Sequence, residues 1–284
     1  MSKPSLSVIL FCLSAGTALP ALASPVYFST GEADGRMASV SRPATLGRMQ
    51  IETADDFLLT ADTMLTGASF TGLLPDGVSL ASVLGVTVNI YRLFPLDSDT
   101  TRPSAVPTRA GSPADGTLTS LSSGAGDMTF AASLGGGLDA LNSIQPGGIH
   151  AAPNQTTGGN GPVSGQVVTF DLTFLTGLSL TADQYFFVPE VDLGTAGSFY
   201  WLSAASPVDA TGTPFADDLP GWVRDDTLAP DWLRVGKDIV GTGSYNFAFS
   251  LTGQTVETGA VPLPASLPLL AGGMAALGLR RRRK

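Results

Sequence analysis

The sequence predicts an all-β fold, built as an antiparallel β-sandwich, for the central part of a 284-residue chain. Three observations lead there. The chain holds 34 glycines and 20 prolines, a composition that disfavours long helices. Outside its two ends, no segment keeps a 3.6-residue apolar period. Instead, short runs of two-residue alternation recur with turn residues between them, as two packed sheets require.

Taken in order, residues 24–48 are polar and weakly periodic, and read as a lead-in strand and loop. Asp55, Asp56, Phe57, Leu58 and Leu59 open a segment that continues to residue 72. Within it Met64, Thr66, Ala68 and Phe70 alternate with Leu65, Gly67, Ser69 and Thr71. The clearest early strand places Val86, Val88 and Ile90 on one face and Thr87 and Asn89 on the other, and Pro95 ends it. Residues 95–165 are rich in Gly, Ser, Thr, Pro and Asp. Pro103, Pro107, Pro113 and Pro146 exclude one long element there, and 147–162 read as an exposed loop.

Strands then return. Val168, Phe170, Leu172 and Phe174 alternate with Val167, Thr169, Asp171 and Thr173, the pattern of a strand buried on one face. Tyr185, Phe186, Phe187 and Val188 are apolar on both faces and predict a central strand, as do Phe199, Tyr200, Trp201 and Leu202. Trp222-Val223-Arg224 and Trp232-Leu233-Arg234-Val235 echo each other across 225–230, as a hairpin does. Tyr245, Phe247, Phe249 and Leu251 form a closing strand.

The two ends are of another kind. Lys3, the apolar stretch 6–18 and the small-x-small pattern at Ala21 and Ala23 have the order of a secretory signal peptide, with a helical apolar core. Cleavage after Ala23 is expected, which implies the Sec machinery and a signal peptidase as partners. Cys12, the only cysteine, lies inside this segment and follows Phe11, where a lipoprotein would carry a small residue. The processed chain would therefore have no thiol. At the other end, Val261, Pro262, Leu263, Pro264 and Ala265 precede a charge-free apolar run at 266–279. Arg280, Arg281, Arg282, Arg283 and Lys284 close the chain. Such a run followed by cations is a stop-transfer arrangement, with the cations held at the cytoplasmic leaflet. Residues 261–279 can just cross a bilayer core of roughly 30 Å as a hydrophobic helix. The expected organisation is thus a signal peptide at 1–23, a β-domain at 24–253, a linker at 254–260 and a tail at 261–284.

The pentapeptide, the apolar run and the basic cluster together resemble the VPLPA-CTERM sorting domain, a branch of the PEP-CTERM class. That resemblance covers about two dozen residues. It implies transient anchoring in the inner membrane, then recognition by an exosortase-type enzyme and delivery to the cell surface or extracellular matrix. A looser resemblance spans about residues 50–253. The Asp55-Asp56-Phe57 opening, the Val86 to Tyr91 strand and the closing strand from Phe247 to Gly253 look like jelly-roll ectodomains of PEP-CTERM-class proteins. It implies a jelly-roll-like sandwich, similar in shape to carbohydrate-binding modules, most of which have no assigned activity.

Charge narrows the partners. The chain has 15 basic and 24 acidic residues. Lys3 and the five terminal cations lie in the two end segments, which hold no acid, so the region between them keeps 9 basic against 24 acidic residues, or −15. A surface this acidic argues against nucleic acid or anionic lipid as its partner and suits solubility first.

Few residues suggest chemistry. His150, the one histidine, sits in a Gly/Pro loop without a nucleophile motif nearby, and one imidazole cannot make a zinc site. Glu190 and Asp192 share a strand face about 7 Å apart, a spacing compatible with a glycoside hydrolase and equally with a wet strand face. Asp217, Asp218, Asp225 and Asp226, with Asp231 and the Asp97-Ser98-Asp99 loop, are oxygen donors of the type that holds a structural calcium ion. None of them forms the spaced EF-hand pattern. Trp201, Trp222 and Trp232, with Tyr200, are candidates for stacking on sugar rings, against the competing reading that they fill the core. Three function classes follow. The first is a non-enzymatic exported surface or matrix protein without cofactor. The second is a carbohydrate-binding module for exopolysaccharide, and the third a secreted glycoside hydrolase.

Overall fold

A computed structural model describes residues 23–149, 156–205, 209–211 and 218–256. The first seven strands are β1 (Pro25–Ser29), β2 (Ala33–Val40), β3 (Ile51–Leu59), β4 (Thr63–Pro75), β5 (Gly85–Leu93), β6 (Pro113–Ser122) and β7 (Met128–Ala140). There follow β8 (Ser143–Ile144), β9 (Val163–Leu180), β10 (Asp183–Asp192), β11 (Tyr200–Ala204) and β12 (Asp209–Thr211). The last four are β13 (Trp222–Asp225), β14 (Leu233–Arg234), β15 (Asn246–Phe247) and β16 (Phe249–Thr255). A 3₁₀ turn at Leu80–Ser82 and a π-helical turn at Val235–Val240 are the helical elements among the described residues. No helix there is long and apolar enough to cross a membrane. The protein is all-β in class. The expected signal peptide, tail and their helices lie outside the described residues, as does His150.

The strands form a ten-stranded and a six-stranded sheet. Strand β4 is the axis of the larger one. Along one edge it pairs with β9, from Thr63↔Leu180 to Pro75↔Gly165. Its other edge is shared by β16, over Thr63 to Phe70, and β11, at Gly72 and Leu73. The handover explains Gly72, where a Cβ would meet the Phe199 ring and the Tyr200 carbonyl at 2.3 Å. The smaller sheet runs β14-β13-β3-β10-β5-β6. Its centre is β10, between β3 and β5, as a strand apolar on both faces requires. Every ladder is antiparallel except the short β2–β8 pairing, where Ala38 and Ser39 align in parallel with Ser143 and Ile144.

Aromatic rings from the two sheets meet in the main core. Phe187 of β10 stacks on Phe249 of β16 at 5.0 Å, and Phe57 of β3 lies 6.3 Å from Phe28 of β1. Phe70 and Phe170, paired across β4 and β9, stack at 5.0 Å. A second cluster of Ala54, Tyr91, Phe186, Val188, Trp222 and Trp232 covers the opposite face of the six-stranded sheet. That sheet is therefore buried on both sides.

Two expectations are corrected. Residues 95–165 hold two long strands, β6 and β7, although their composition reads as loop. Three consecutive glycines, Gly135, Gly136 and Gly137, sit within β7, where pairing with β9 supplies the backbone bonds that propensity alone does not favour. The closing strand also runs past Gly253. A register shift between Thr252 and Gly253 lets Gln254 and Thr255 keep pairing with Met64 and Thr63, so the expected linker begins inside β16.

Candidate functional site

The densest polar constellation lies on the outward face of the six-stranded sheet. Alternation decides its members. On β3, Ile51 and Phe57 belong to the main core, while Glu52, Ala54 and Asp56 take the opposite phase. Neighbouring strands bring Asn89 and Tyr91 from β5, Glu190 from β10 and Arg224 from β13, the last in direct register with Glu52. All five are buried: Glu52 is 2%, Asn89 6%, Tyr91 2%, Glu190 1% and Arg224 8% exposed.

Arg224 is the hub. Its Nε donates to Glu52 Oε2 at 2.6 Å and its Nη2 to the Tyr91 hydroxyl at 2.7 Å. Tyr91 in turn donates to Glu52 Oε1 at 2.6 Å. The guanidinium also lies 4.2 Å from the Trp232 ring centroid, a cation–π contact within a largely desolvated site. Asn89 bridges the two glutamates, donating to Glu190 Oε2 at 2.9 Å and to Glu52 Oε1 at 3.3 Å. Gln50 donates to Glu190 Oε1 at 2.9 Å. Burial, and then the charge of Glu52, push the Glu190 carboxyl up to about 8. Burial and the Glu52 charge likewise push the Tyr91 phenol upward, so it stays a neutral donor.

Loops close over this face. Asp231 receives Arg102 through both oxygens, at 2.7 and 3.0 Å, and the Ala105 N–H at 2.8 Å. Burial raises the Asp231 carboxyl, but the Arg102 bonds, the Ala105 N–H and the Arg109 charge outweigh it and hold the group below its usual range. Arg109 binds Asp115 at 2.6 Å. Arg102 and Arg109 of the β5–β6 loop thus clasp Asp231 of the β13–β14 loop and Asp115 of β6. A cavity of about 360 Å³ is lined by Leu219, Pro220, Trp222, Arg234 and Lys237 among others, and by neither glutamate.

A second acidic group flanks the first. Asp55 is fully buried on the core side, accepting the Phe247 N–H at 2.7 Å. Burial and the neighbouring Asp56 raise its carboxyl well above the usual range. Asp56, bound to Gln184 and the Leu219 N–H, is pushed up to about 7, chiefly by burial.

Several predicted site residues come together here, in roles other than those expected. The acid pair is corrected: Glu190 faces Glu52, because the adjacent strand is closer than the next residue along its own strand. Asp192 instead caps a turn at the Gly194 N–H. The sugar-stacking tryptophans are corrected too. Trp201, Trp222 and Trp232 are 0–1% exposed and offer no ring face to a ligand. Trp201 fills the main core and donates to the Ala248 carbonyl at 2.9 Å, while Tyr200 is buried beside it.

The calcium candidates disperse. Asp225 caps its own turn at Thr227 and Leu228, Asp226 accepts the Gln50 N–H, and Asp218 accepts Asn246 Nδ2. Asp97 lies 3.7 Å from Arg92, and Asp99 binds Thr101. Asp217 lies outside the described residues. Among those described, no three His, Cys, Asp or Glu side chains gather as a metal site. Sequence reasoning missed Glu52, Asn89, Tyr91 and Arg224. The available signal was Thr87, Asn89 and Tyr91 in one phase of a strand whose other phase is apolar, with Glu52 in an earlier strand and Glu190 in the strand that comes to lie beside it.

One further surface is notable. On the outward face of the ten-stranded sheet, Ser29, Ser250, Ser69 and Asp171 align across β1, β16, β4 and β9. Tyr27, Thr252, Gly67, Thr173 and Thr129 form the next row, and Thr71, Thr169 and Ser133 a third. A shallow groove of about 250 Å³ runs over Tyr27, Ser29, Glu32, Ser69, Thr71, Thr169 and Ser250.

Compared with known proteins, the chain matches no family model, no curated protein and no solved structure.

Proposed function

We propose that this is an exported, non-enzymatic surface or extracellular-matrix protein. Its jelly-roll-like β-sandwich is delivered by the N-terminal signal and sorted through the C-terminal tail by an exosortase-type enzyme. The observation that carries the proposal is the succession of Val261 to Ala265, a charge-free apolar run and a terminal cluster of five cations. The geometry supports it in two ways. The compact unit, Ala23–Val256, is the stretch that lies between the two labels. Glu52 and Glu190, the closest approach to an acid–base pair on this sheet face, are buried beneath the β5–β6 and β13–β14 loops, whereas a hydrolase needs open access to a concave site. The test is production in a host with and without an exosortase-type enzyme, followed by cell fractionation. With the enzyme, the protein should leave the membrane fraction, and a variant with Pro262→Ala and Pro264→Ala should stay behind. Equal release of both, or release without the enzyme, would overturn the proposal.

A second reading has its own support. The serine and threonine rows give a flat field of hydroxyls suited to a neutral polysaccharide chain, in place of the buried tryptophans. Binding on a glycan array that falls in a Thr71→Val, Thr169→Val variant would favour it. Binding that ignores both changes would remove this surface from consideration.

A further inference from the structure

Strand β7 is a long edge strand whose first half, Met128 to Leu134, is regular and uncharged. Among the described residues it pairs with β9 alone, and only its end nears another strand, where Leu138 lies against Gly35 of β2. From Met128 to Gly137 its second row of N–H and C=O groups has no strand partner among the described residues. Natural edges are usually short, charged, bulged or broken by proline. The other edges here follow that rule. β8 and β14 have two residues and β12 three, while β6 carries Pro113 and Asp115 and two register shifts against β5. β7 is 13 residues long and has no proline, and no charged residue stands between Asp127 and Asp139; its one register shift against β9, between Leu134 and Gly137, leaves Met128 to Leu134 regular.

An open row of alternating donors and acceptors is complementary to one thing, another extended backbone. Charge selects which. The region between the end segments carries −15, so copies of this chain repel one another over most of their surface. β7 is the place where they can approach. Asp127 and Asp139 bound the uncharged run at its two ends, and Asp171 lies one strand inward, opposite Ala131. In an antiparallel pair whose two-fold axis passes at Ala131, Asp127 would stand opposite Gly135 of the second copy and about 14 Å along the strand from its Asp139. The two Asp171 carboxylates would be three strand spacings apart, also about 14 Å, beyond the screening length at physiological salt. Thr129, Ala131, Ser133 and Leu134 are exposed, which suits a closed two-fold contact of a strand with itself.

We propose that β7 is a self-association edge, pairing antiparallel with β7 of a second copy to join two ten-stranded sheets into one. This goes beyond the sorting proposal and does not depend on it.

The chain's only cysteine, Cys12, makes the test direct. In a full-length Cys12→Ser background, single cysteines replace Thr129, Ala131 or Ser133, with Thr252→Cys as a control on the same sheet away from the edge. Air oxidation should give disulfide-linked dimer from at least one β7 position and little from position 252. Separately, Thr129→Lys, Ala131→Lys and Ser133→Lys together should abolish the dimer seen by light scattering over a dilution series. Their melting temperature should stay within about 2 °C of the parent, as exposed changes do. Equal cross-linking at 252 and β7, a parent that is monomeric throughout the series, or a lysine variant that still dimerises would each overturn the proposal.

Discussion

Replacing Arg224 with alanine should lower the melting temperature by about 10 °C. The estimate follows from removing one partner of a buried ion pair, which costs roughly 3–5 kcal/mol, at about 2–4 °C per kcal/mol for a domain of this size. The loss falls on several groups at once. Glu52 would lose the 2.6 Å bond to Nε and the Tyr91 hydroxyl its 2.7 Å donor, and the Trp232 ring would lose the cation above it. A double variant, Arg224→Met with Glu52→Gln, should recover much of the loss, since neither partner then leaves a charge stranded. Thermal unfolding followed by circular dichroism measures both. A single variant within about 2 °C of the parent would mean that this network does not hold the sheet face.

Stability should also fall as pH rises from mildly acidic to mildly alkaline. Glu190 is raised from 4.5 to about 8 and Asp56 from 3.8 to about 7, and Asp55 moves in the same direction. In the unfolded chain these carboxyls ionise near pH 4. Between those values the folded state binds more protons than the unfolded one, so the free energy of unfolding decreases with pH. The contribution is complete below about pH 4 and is lost as pH climbs through 7 and 8. With each unit worth about 1.4 kcal/mol, Glu190 alone contributes on the order of several kcal/mol. Below pH 4 the clasp at Asp231, held in the opposite direction, is protonated and stability drops again. Melting temperatures should therefore peak near pH 4 and be clearly lower at pH 8.5. General repulsion among the acidic residues has the same sign, so Glu190→Gln separates the two. That variant keeps a neutral group at the position, and its profile should be flatter and lie above the parent at pH 8.5. Profiles that run parallel would contradict the burial of an ionisable Glu190.

Much of the fold could be read from residue order. The alternation in β5 and β9, the doubly apolar β10 and the β13–β14 hairpin all appear where their side-chain patterns put them. These patterns report burial, and burial is what two-residue periodicity encodes. β6 and β7 were not legible, because a strand held by pairing needs no apolar face. Gly135, Gly136 and Gly137 signal a loop until β9 is beside them. The site was half legible. Glu190 stood out as an acid in an apolar strand, yet its partner Glu52 stands 138 positions earlier in the chain, a proximity that only sheet order supplies. The tryptophans show the same limit. Large aromatics suit a sugar site or a core equally well in sequence, and the second apolar cluster on the six-stranded sheet decided for the core.

The two end segments remain the basis of the functional proposal, and one measurement bears on them most directly. Protein recovered from the surface or medium of a host carrying an exosortase-type enzyme would be weighed intact by mass spectrometry. The account predicts a chain that begins at Ser24 and has lost Arg280 to Lys284 together with the apolar run before them. A mass that includes the terminal cations would contradict it and make the tail a permanent anchor.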